Sequence, residues 1–304
     1  MDFSVIIPVY NSKETLEELF NGIKSTFEDL GKSFEVIAIE DGSSDNSWEV
    51  LESLKEQHPS LLTIIRLTKN YGQHNATLCG FEYSEGDLLV TIDDDLQTNP
   101  AEIKKLCAKY NESEADLTYG YYKKKRHSPL RNLGSKFLKR SSKQLFKAPG
   151  EGSSFRLIRK ELAKNILHHL QNFVFIDELL LWYTDNIDFA EVRHEKRKHK
   201  KSGYSYFKLF KLFTNIIVYY TAVPLKIMTY GGFFLSLISF LLGLRFILRK
   251  IFLNVELGYT SLIVAILFST SLILFCLGII GEYLRRIYTV QNKKPPYSIK
   301  KIVK

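Results

Sequence analysis

The fold is decided by residues 87–97, which read DLLVTIDDDLQ, an apolar run that ends in three consecutive carboxylates. A short apolar run bounded by polar residues is typical of a strand buried in a sheet. Three neighbouring carboxylates repel one another, and a divalent cation relieves that repulsion. In an extended backbone Asp93, Asp95 and Gln97 point the same way, and their oxygen atoms suit Mg²⁺ or Mn²⁺. The alternative is an acidic turn that precedes a helix at Pro100.

Similar apolar runs occur on both sides of this strand. We predict further strands at residues 3–9, 34–39, 62–67 and 116–119. Helical patterns lie between them, including a helix of about ten residues from near Gln73. This alternation predicts an α/β fold with a Rossmann-like, mostly parallel sheet. Ligands of such sheets bind beyond the carboxyl ends of the strands, where the unusual polar residues of this chain fall.

The first helix has its own start signal. Asn11 is a good N-cap residue, and Glu14 follows three residues later, which is the spacing of a capping box. We therefore predict that a helix begins at Asn11. Residues 1–8 carry neither a basic leader nor a long apolar run, so we expect no signal peptide and a cytosolic first domain.

Composition sets wider limits. The chain has 304 residues and a formal net charge of +9, enough for one sizeable domain and an appendage. This charge suits nucleic acid, an anionic membrane or phosphate groups, and composition does not choose among them. Cys79, Cys107 and Cys276 show no metal-binding spacing and predict no disulfide framework.

The second half of the chain changes character. Residues 227–244 and 257–281 are apolar stretches, each long enough to span a bilayer as a helix; two buried core helices are the alternative. Residues 204–220 mix aromatic residues with lysines and predict an amphipathic helix in the membrane interface. Because basic residues concentrate outside the two stretches, the positive-inside rule puts both termini in the cytosol. A nucleic-acid binder would explain the positive charge but not the two spans, so we expect no nucleic-acid partner.

These patterns predict three parts: a cytosolic domain at 1–202, an interface helix region at 203–222, and a two-span anchor at 223–304. The basic residues after Pro296 are expected to form a loose extension. The predicted location is a cell (inner) membrane, as a multi-pass protein. Glycine pairs at 231–232 and at Gly278 and Gly281 would permit close helix packing, which leaves a homo-oligomer open.

Three motifs follow strand ends in order: VIIPVYN at 5–11, EDGSSD at 40–45 and DDDLQ at 93–97. Together they resemble the family 2 glycosyltransferases, which have the GT-A nucleotide-sugar fold, over about residues 3–205. KNYGQ at 69–73 and GSSFRL at 152–157 look like segments of the polyprenyl-phosphate glycosyltransferases in that family. The basic segment around GYSY at 203–206, ahead of two spans, is similar too, although it departs from the group's Gly-x-Ser-x-Tyr.

The resemblance implies an inverting transfer of a sugar from a nucleotide-diphosphate sugar, with UDP as the first expectation, to polyprenyl phosphate such as undecaprenyl phosphate. It also implies roles for residues of this chain, and Arg156 would brace the site. The remaining assignments are Pro8, Tyr10, Glu14, Asp41, Asn70, Gln73 and Asp94 for the nucleotide; Asp93, Asp95 and Gln97 for Mg²⁺ or Mn²⁺; Arg126 and Arg131 for phosphates; and Arg197 and Ser205 for the lipid phosphate.

Asp177 has two interpretations. It resembles the acid that supplies a base in hydroxyl-accepting relatives, or it is one of two acids at a helix N-terminus. A phosphate acceptor is already anionic and needs no strong base, so the resemblance leaves the role of Asp177 open.

Rival functions are less well supported. A polysaccharide synthase of this fold typically carries Gln-x-x-Arg-Trp after the acid pair, but this chain has LLLW at 179–182. A non-catalytic membrane adaptor that senses nucleotide-sugar would have no need of Asp93 and Asp95 together.

Overall fold

The computed structural model describes residues 1–122, 151–168, 175–193, 258–291 and 295–304, with part of the stretch between 227 and 252. It divides into two units: Met1–Tyr204 together with Pro295–Lys304, and Ser205–Lys294. Several sequence predictions lie outside the described residues, namely those for Arg126, Arg131, Arg197, Ser205 and the interface helix.

The first unit contains one sheet of eight strands in the order β7-β5-β6-β4-β1-β2-β3-β8. Four of the seven neighbouring pairs are parallel, β1–β2, β1–β4, β2–β3 and β5–β7, and the others are antiparallel. This confirms the α/β fold with a mostly parallel sheet. The strands are β1 Phe3–Val9, β2 Phe34–Glu40, β3 Leu62–Leu67, β4 Leu88–Thr91, β5 Leu117–Tyr122, β6 Glu151–Arg159, β7 Ile187–Glu191 and β8 Ile299–Val303.

Helices cover this sheet with apolar faces repeating every three or four residues. In the first of them, Leu19, Phe20, Ile23 and Phe27 are buried. Gly80 lets the third approach β1 so closely that a Cβ there would overlap Ile6. The helices are α1 Leu16–Leu30, α2 Ser47–Gln57, α3 Gln73–Tyr83, a 3₁₀ turn Pro100–Glu102 leading into α4 Ile103–Ser113, α5 Lys160–Leu167 and α6 Ile176–Tyr183.

The predicted start of the first helix at Asn11 is wrong, since α1 begins at Leu16. Asn11 takes a left-handed conformation (φ 52°), and its side-chain oxygen accepts from the backbone N–H of Ser44 at 2.8 Å. The capping oxygen is thus engaged by a neighbouring loop. A turn closed by the Thr15 N–H and the Ser12 carbonyl, 3.0 Å apart, precedes the helix instead.

The predicted loose extension after Pro296 is also wrong. Residues Pro295–Lys304, here called the return segment, contain β8, which pairs antiparallel with β3 and covers its edge. Lys301 adds a surface contact with α2, since its Nζ lies 2.8 Å from Glu52 Oε1 and 5.6 Å from the centre of the Trp48 ring. An uncovered edge would present unpaired N–H and C=O groups, and β8 satisfies them.

The second unit contains the long helix α7, Tyr259–Gln291. At 1.5 Å per residue it is about 50 Å long, more than a bilayer core requires. Its stretch Phe268–Arg285 is apolar enough to cross a membrane and has no buried share; among the described residues it is the one candidate span. The helix continues past the end of the apolar stretch at 281, and Glu282 and Arg285 pair there at 2.8 Å. The described residues between 227 and 252 are helical.

Candidate active site

Four loops meet at the carboxyl ends of β1 to β4. We call them loop 1 (10–15), loop 2 (41–46), loop 3 (68–72) and the acidic loop (92–99). Side chain to backbone hydrogen bonds join them: Ser43 Oγ accepts from the Asn11 N–H at 3.0 Å, and Asp94 Oδ2 accepts from the Tyr10 N–H at 2.9 Å. The motifs that are separated in sequence therefore form one edge of the sheet.

Pro8 lies in the central strand β1, where a missing backbone N–H would normally disrupt pairing. The backbone polar groups of successive residues point to opposite neighbouring strands, so Ile6 and Pro8, two residues apart, face the same strand. Ile6 faces β4, and the Pro8 nitrogen therefore faces β4 as well. On this side the Ile92 N–H donates a hydrogen bond to the Ile6 carbonyl at 3.1 Å, just after β4 ends at Thr91. The proline thus fits at the point where the sheet opens towards the site.

Asp41 builds loop 3. Its side chain is 3% exposed, and its two oxygens accept from the backbone N–H groups of Tyr71 at 2.7 Å and Gly72 at 2.8 Å. Loss of solvent raises the pKa of this carboxyl to about 6; the two backbone hydrogen bonds oppose the rise and neighbouring Glu40 adds to it. Gly42 allows the close approach, because a Cβ there would lie 2.5 Å from the Asn70 nitrogen.

Asp93 has different partners. Its Oδ1 accepts from Gln73 Nε2 at 2.5 Å, and its Oδ2 accepts from the Ser154 hydroxyl. Loss of solvent is the main cause that raises the pKa of this carboxyl to about 6; the Ser154 hydrogen bond lowers it, and the charges of Asp95 and Asp94 raise it further. Gln73, predicted to lie near the base, therefore contacts the acidic loop.

The extended backbone assumed for residues 93–97 is wrong. The loop turns at 94–95, and Leu96 takes a left-handed conformation (φ 56°) that places its side chain in the core. Asp95 Oδ1 accepts from the Gln97 backbone N–H at 3.1 Å. Asp94 faces loop 1, where it also accepts from the Ser12 hydroxyl. The metal assignment of Asp93, Asp95 and Gln97 stays a prediction.

The donor set suits a hard divalent cation. The carboxylates of Asp93 and Asp95 and the amide of Gln97 offer only oxygen ligands. Loss of solvent is the main cause of the raised pKa of Asp93, and the charges of Asp95 and Asp94 add to it, so a nearby cation would favour the ionised form. Across the described part of the chain no group of three or more His, Cys, Asp or Glu side chains is arranged as a metal site. Asp94 accepts hydrogen bonds from loop 1, so the predicted ligands are the carboxylates of Asp93 and Asp95 and the amide of Gln97.

Two exposed residues of loop 1 were predicted to shape the nucleotide pocket. Tyr10 is 46% exposed at the end of β1, and Glu14 is exposed in the turn before α1. Asn70 is exposed in loop 3. An exposed aromatic ring at the rim of the loops offers a flat face for a nucleobase.

A buried network stands behind Asp93. Arg156, 2% exposed, forms an ion pair with Asp177 Oδ1, which also accepts from the Tyr119 hydroxyl at 3.0 Å. Arg156 Nε donates to Thr91 Oγ1 at 3.2 Å. Asp177 lies in the first turn of α6, so it combines the helix N-terminal position with an ion pair. Arg156 thus joins β6 to β4, the strand that leads into the acidic loop, and its bracing of the site stays a prediction.

His74 packs on the same network. Its ring lies 4.9 Å from that of Phe175. Loss of solvent lowers the pKa of His74 to about 4, with Asp177 opposing the shift and Arg156 adding to it. The imidazole is therefore neutral at physiological pH.

Sequence reasoning gave no role to Ser12, Glu40, Thr91 or Ser154. Ser154 lies within GSSFRL two residues before Arg156, so the alternation of a strand places both side chains on one face. That alternation was a usable signal for Ser154. Glu40, fully buried with its Oε2 at 3.1 Å from Arg66 Nε, has a partner on another strand, which the sequence does not indicate.

Comparisons with known proteins agree with this geometry. The family model Glycosyl transferase family 2 matches residues 4–167, and the model GtrB C-terminal hairpin matches residues 223–287. The undecaprenyl-phosphate 4-deoxy-4-formamido-L-arabinose transferase of Enterobacter sp. (strain 638) is 32% identical over 305 residues, which cover 99% of this chain and 93% of the relative.

Solved structures share the fold. Glucosyl-3-phosphoglycerate synthase of Mycobacterium tuberculosis, in complex with Mn²⁺ and UDP-glucose, has a TM-score of 0.53 at 17% identity, covering 71% of this chain and 77% of that one. The same enzyme in complex with UDP has a TM-score of 0.53 at 17% identity, covering 71% and 78%. The fold, the family match over more than half of the residues and the near full-length relative establish that this chain belongs to glycosyl transferase family 2 and is a glycosyltransferase.

Proposed function

We propose that the protein transfers a sugar from a nucleotide-diphosphate sugar, with UDP as the first candidate, to undecaprenyl or another polyprenyl phosphate at the cytoplasmic face of a membrane. The observation that carries this proposal is the combination of an acidic loop at the edge of a family 2 fold with a following apolar helix, α7. The name of the near full-length relative, an undecaprenyl-phosphate sugar transferase, supports the acceptor.

The donor is proposed to lie across the four loops. Tyr10 offers its ring to the base, and Asp41 keeps loop 3 in place through Tyr71 and Gly72. Pro8, Glu14, Asn70, Gln73 and Asp94 complete this side as predicted. Asp93, Asp95 and Gln97 would hold Mg²⁺ or Mn²⁺, which when bound neutralises charge on the leaving diphosphate. The solved relatives with Mn²⁺ and UDP-glucose make a divalent ion a reasonable expectation.

The acceptor is proposed to attack directly. A phosphate monoester is already ionised near neutral pH. One of its oxygens forms the bond to the anomeric carbon while the bond to the nucleoside diphosphate breaks, and that electron pair leaves with the diphosphate. A single displacement of this kind inverts the anomeric centre.

No general base is required by this chemistry, and the environment of Asp177 supports a different role. Its Oδ1 accepts from both Arg156 and Tyr119, so this oxygen is engaged in the folded protein. We propose that Asp177 fixes Arg156 behind the acidic loop. Arg126 and Arg131 for the phosphates, and Arg197 and Ser205 for the lipid phosphate, remain part of the proposal.

The membrane arrangement is proposed from the sequence and the hairpin match. Residues 223–287 correspond to the model named as a C-terminal hairpin, which supports two spans with both termini in the cytosol. A polyprenyl tail lies in the bilayer, so its phosphate is presented at the interface next to residues 203–222. Self-association through the spans is compatible with this arrangement.

The test uses the full-length protein in detergent with undecaprenyl phosphate, Mn²⁺ and a panel of radiolabelled nucleotide-sugars, including a 4-deoxy-4-formamido-L-arabinose derivative. Label should enter the organic phase with one donor and disappear with EDTA or Asp95→Ala. The matched control is Asp29→Ala, which removes an acid paired with Lys104 on the helical surface and should leave transfer unchanged. Undecaprenol in place of its phosphate should accept nothing.

Two results would contradict the proposal. Equal label on undecaprenol would remove the phosphate from the mechanism. Binding of a nucleotide-sugar without transfer to any lipid, across the whole panel, would favour the sensing adaptor.

A further inference from the structure

The return segment contacts both ends of residues 68–83, which form loop 3 and α3. At one end the Ser298 carbonyl accepts from the Thr68 N–H at 2.9 Å, one residue beyond β3. At the other end the Tyr297 hydroxyl donates to the Glu82 carboxylate on α3. Next to it, Lys304 Nζ lies 5.8 Å from the centre of the Tyr83 ring. The return segment therefore fixes where loop 3 begins and where α3 ends.

The residues between those two ends carry contacts of the active site. Tyr71 and Gly72 donate their N–H groups to Asp41, and Gln73, the first residue of α3, donates to Asp93. Thr68 is tied to this group directly, since its hydroxyl lies 2.9 Å from that of Tyr71. A displacement at Thr68 or Glu82 would therefore shift the partners of both Asp41 and Asp93.

The order of the chain gives these contacts a second consequence. The return segment follows α7, and residues 292–298 are the link between that helix and β8. The unit that contains α7 is thus inserted into the catalytic unit and is connected to it at both of its ends. The second connection, residues 292–298, leads directly into β8, which pairs with β3, the strand that precedes loop 3.

We propose that the return segment positions the donor pocket, with Tyr297 as its positioning residue, and that the chain following the membrane helix thereby sets the affinity for the nucleotide-sugar. This inference rests on the proposed function for the identity of the donor. Tyr297 touches neither substrate nor the acidic loop; it acts through Glu82 and α3. A hydrogen bond to a carboxylate is stronger than one between neutral groups, so a single hydroxyl is enough to hold the helix end.

The experiment compares Tyr297→Phe with wild type as full-length proteins in detergent micelles. Removal of the hydroxyl keeps the ring and should raise KM for the donor about threefold to tenfold, with kcat within about twofold. The dissociation constant of UDP with Mn²⁺, measured by calorimetry, should rise by the same factor. Hydrogen exchange at the Tyr71 and Gly72 amides should accelerate, and this readout needs no ligand.

The matched control is Lys301→Met, which removes the contact of β8 with Glu52 on α2 and leaves the contacts to residues 68–83 intact. It should leave the donor KM and the exchange of both amides at wild-type values. Ending the chain after Lys294 should enlarge both effects seen with Tyr297→Phe.

A purely structural strand would give a different pattern. If Tyr297→Phe and Lys301→Met lower the melting temperature alike while UDP affinity and exchange at Tyr71 and Gly72 stay unchanged, the positioning role is overturned. Because UDP binding and amide exchange require no lipid acceptor, they separate failure of this inference from failure of the proposed transfer to polyprenyl phosphate.

Discussion

Asp41 and Asp93 follow β2 and β4, the two strands on either side of β1, and loss of solvent raises the pKa of each carboxyl to about 6. Their partners differ. Asp41 accepts from two backbone N–H groups, which cannot move unless loop 3 moves. Asp93 accepts from the side chains of Gln73 and Ser154, which can rotate away, and has like charges beside it. The two carboxyls therefore have similar pKa values but different roles. Asp41 holds loop 3 in place, whereas Asp93 can exchange its side-chain partners for a ligand.

The largest effect is expected from Asp93→Asn. The proposed function gives Asp93 a charge at the diphosphate site, and loss of that charge should reduce lipid-linked product by about 10³-fold or more. Folding should be unchanged or slightly strengthened, because the substitution relieves repulsion with Asp94 and Asp95. Product formation and thermal unfolding in EDTA measure the two quantities. Retention of more than about a tenth of the activity would contradict the assignment.

The second effect is on stability, at Gly42. Gly42→Ala introduces a Cβ at a φ of 69°, 2.5 Å from the Asn70 nitrogen. Gly31→Ala is the matched control, because Gly31 has a φ of 61° with nothing within 4 Å. The control should cost about 1 kcal/mol from backbone conformation alone. Gly42→Ala should cost about 1–3 kcal/mol more, since loop 3 must shift. Equal losses in urea unfolding would mean that the contact between loops 2 and 3 is not tight.

The third effect distinguishes the two acids directly. Asp41→Asn replaces one acceptor with an amide NH₂ that faces a buried N–H of Tyr71 or Gly72. An unpaired buried donor costs about 1–3 kcal/mol, so this variant should lose stability while Asp93→Asn does not. Donor KM should rise with kcat largely retained. If both variants lose the same stability, the distinction between a building acid and a binding acid fails.

The last effect is a pH dependence. For each acid the folded pKa of about 6 lies above the ordinary value of 3.8, so the folded state holds the proton more tightly. The free energy of unfolding should therefore fall as pH rises from about 4 to about 6, by at most about 1.4 kcal/mol per pH unit for each acid. Urea unfolding without metal should show the fall, and each Asn variant should reduce it.

Saturating Mn²⁺ gives the control for this pH dependence. A bound cation favours the ionised form of Asp93, so it should remove only that part of the fall. The metal assignment would be contradicted if Mn²⁺ changed the pH dependence of the free energy of unfolding equally in wild type and in Asp93→Asn.

The parallel half of the sheet could be predicted from sequence because its strands are continuous apolar runs. The bounds of β1 and β3 agree with prediction, β2 ends one residue later than predicted, and β4 is one residue shorter at each end than the strand predicted at residues 87–92. Local apolar patterning is sufficient there, since both faces of each strand are buried.

The antiparallel additions could not be predicted in the same way. β8 contains two lysines among five residues, and its outer positions face solvent, so composition alone resembles an exposed tail. The partners of Asp41 lie thirty residues further along the chain, and only the folded loops bring them together. Asn11 shows the opposite case. Its local sequence pattern favours a helix cap, but its side-chain oxygen accepts from the Ser44 N–H of loop 2 and does not cap α1.

The position of β8 also has a consequence for biosynthesis. Ribosomes make the chain from its first residue onward, so the edge of β3 stays uncovered until residues 205–294 have been synthesised. Completion of the catalytic sheet thus follows the emergence of the apolar helix α7. Until residues 299–303 have been made, the nascent chain presents an open edge at β3, with unpaired N–H and C=O groups that can pair with another chain. The catalytic sheet is therefore completed only when translation is almost finished.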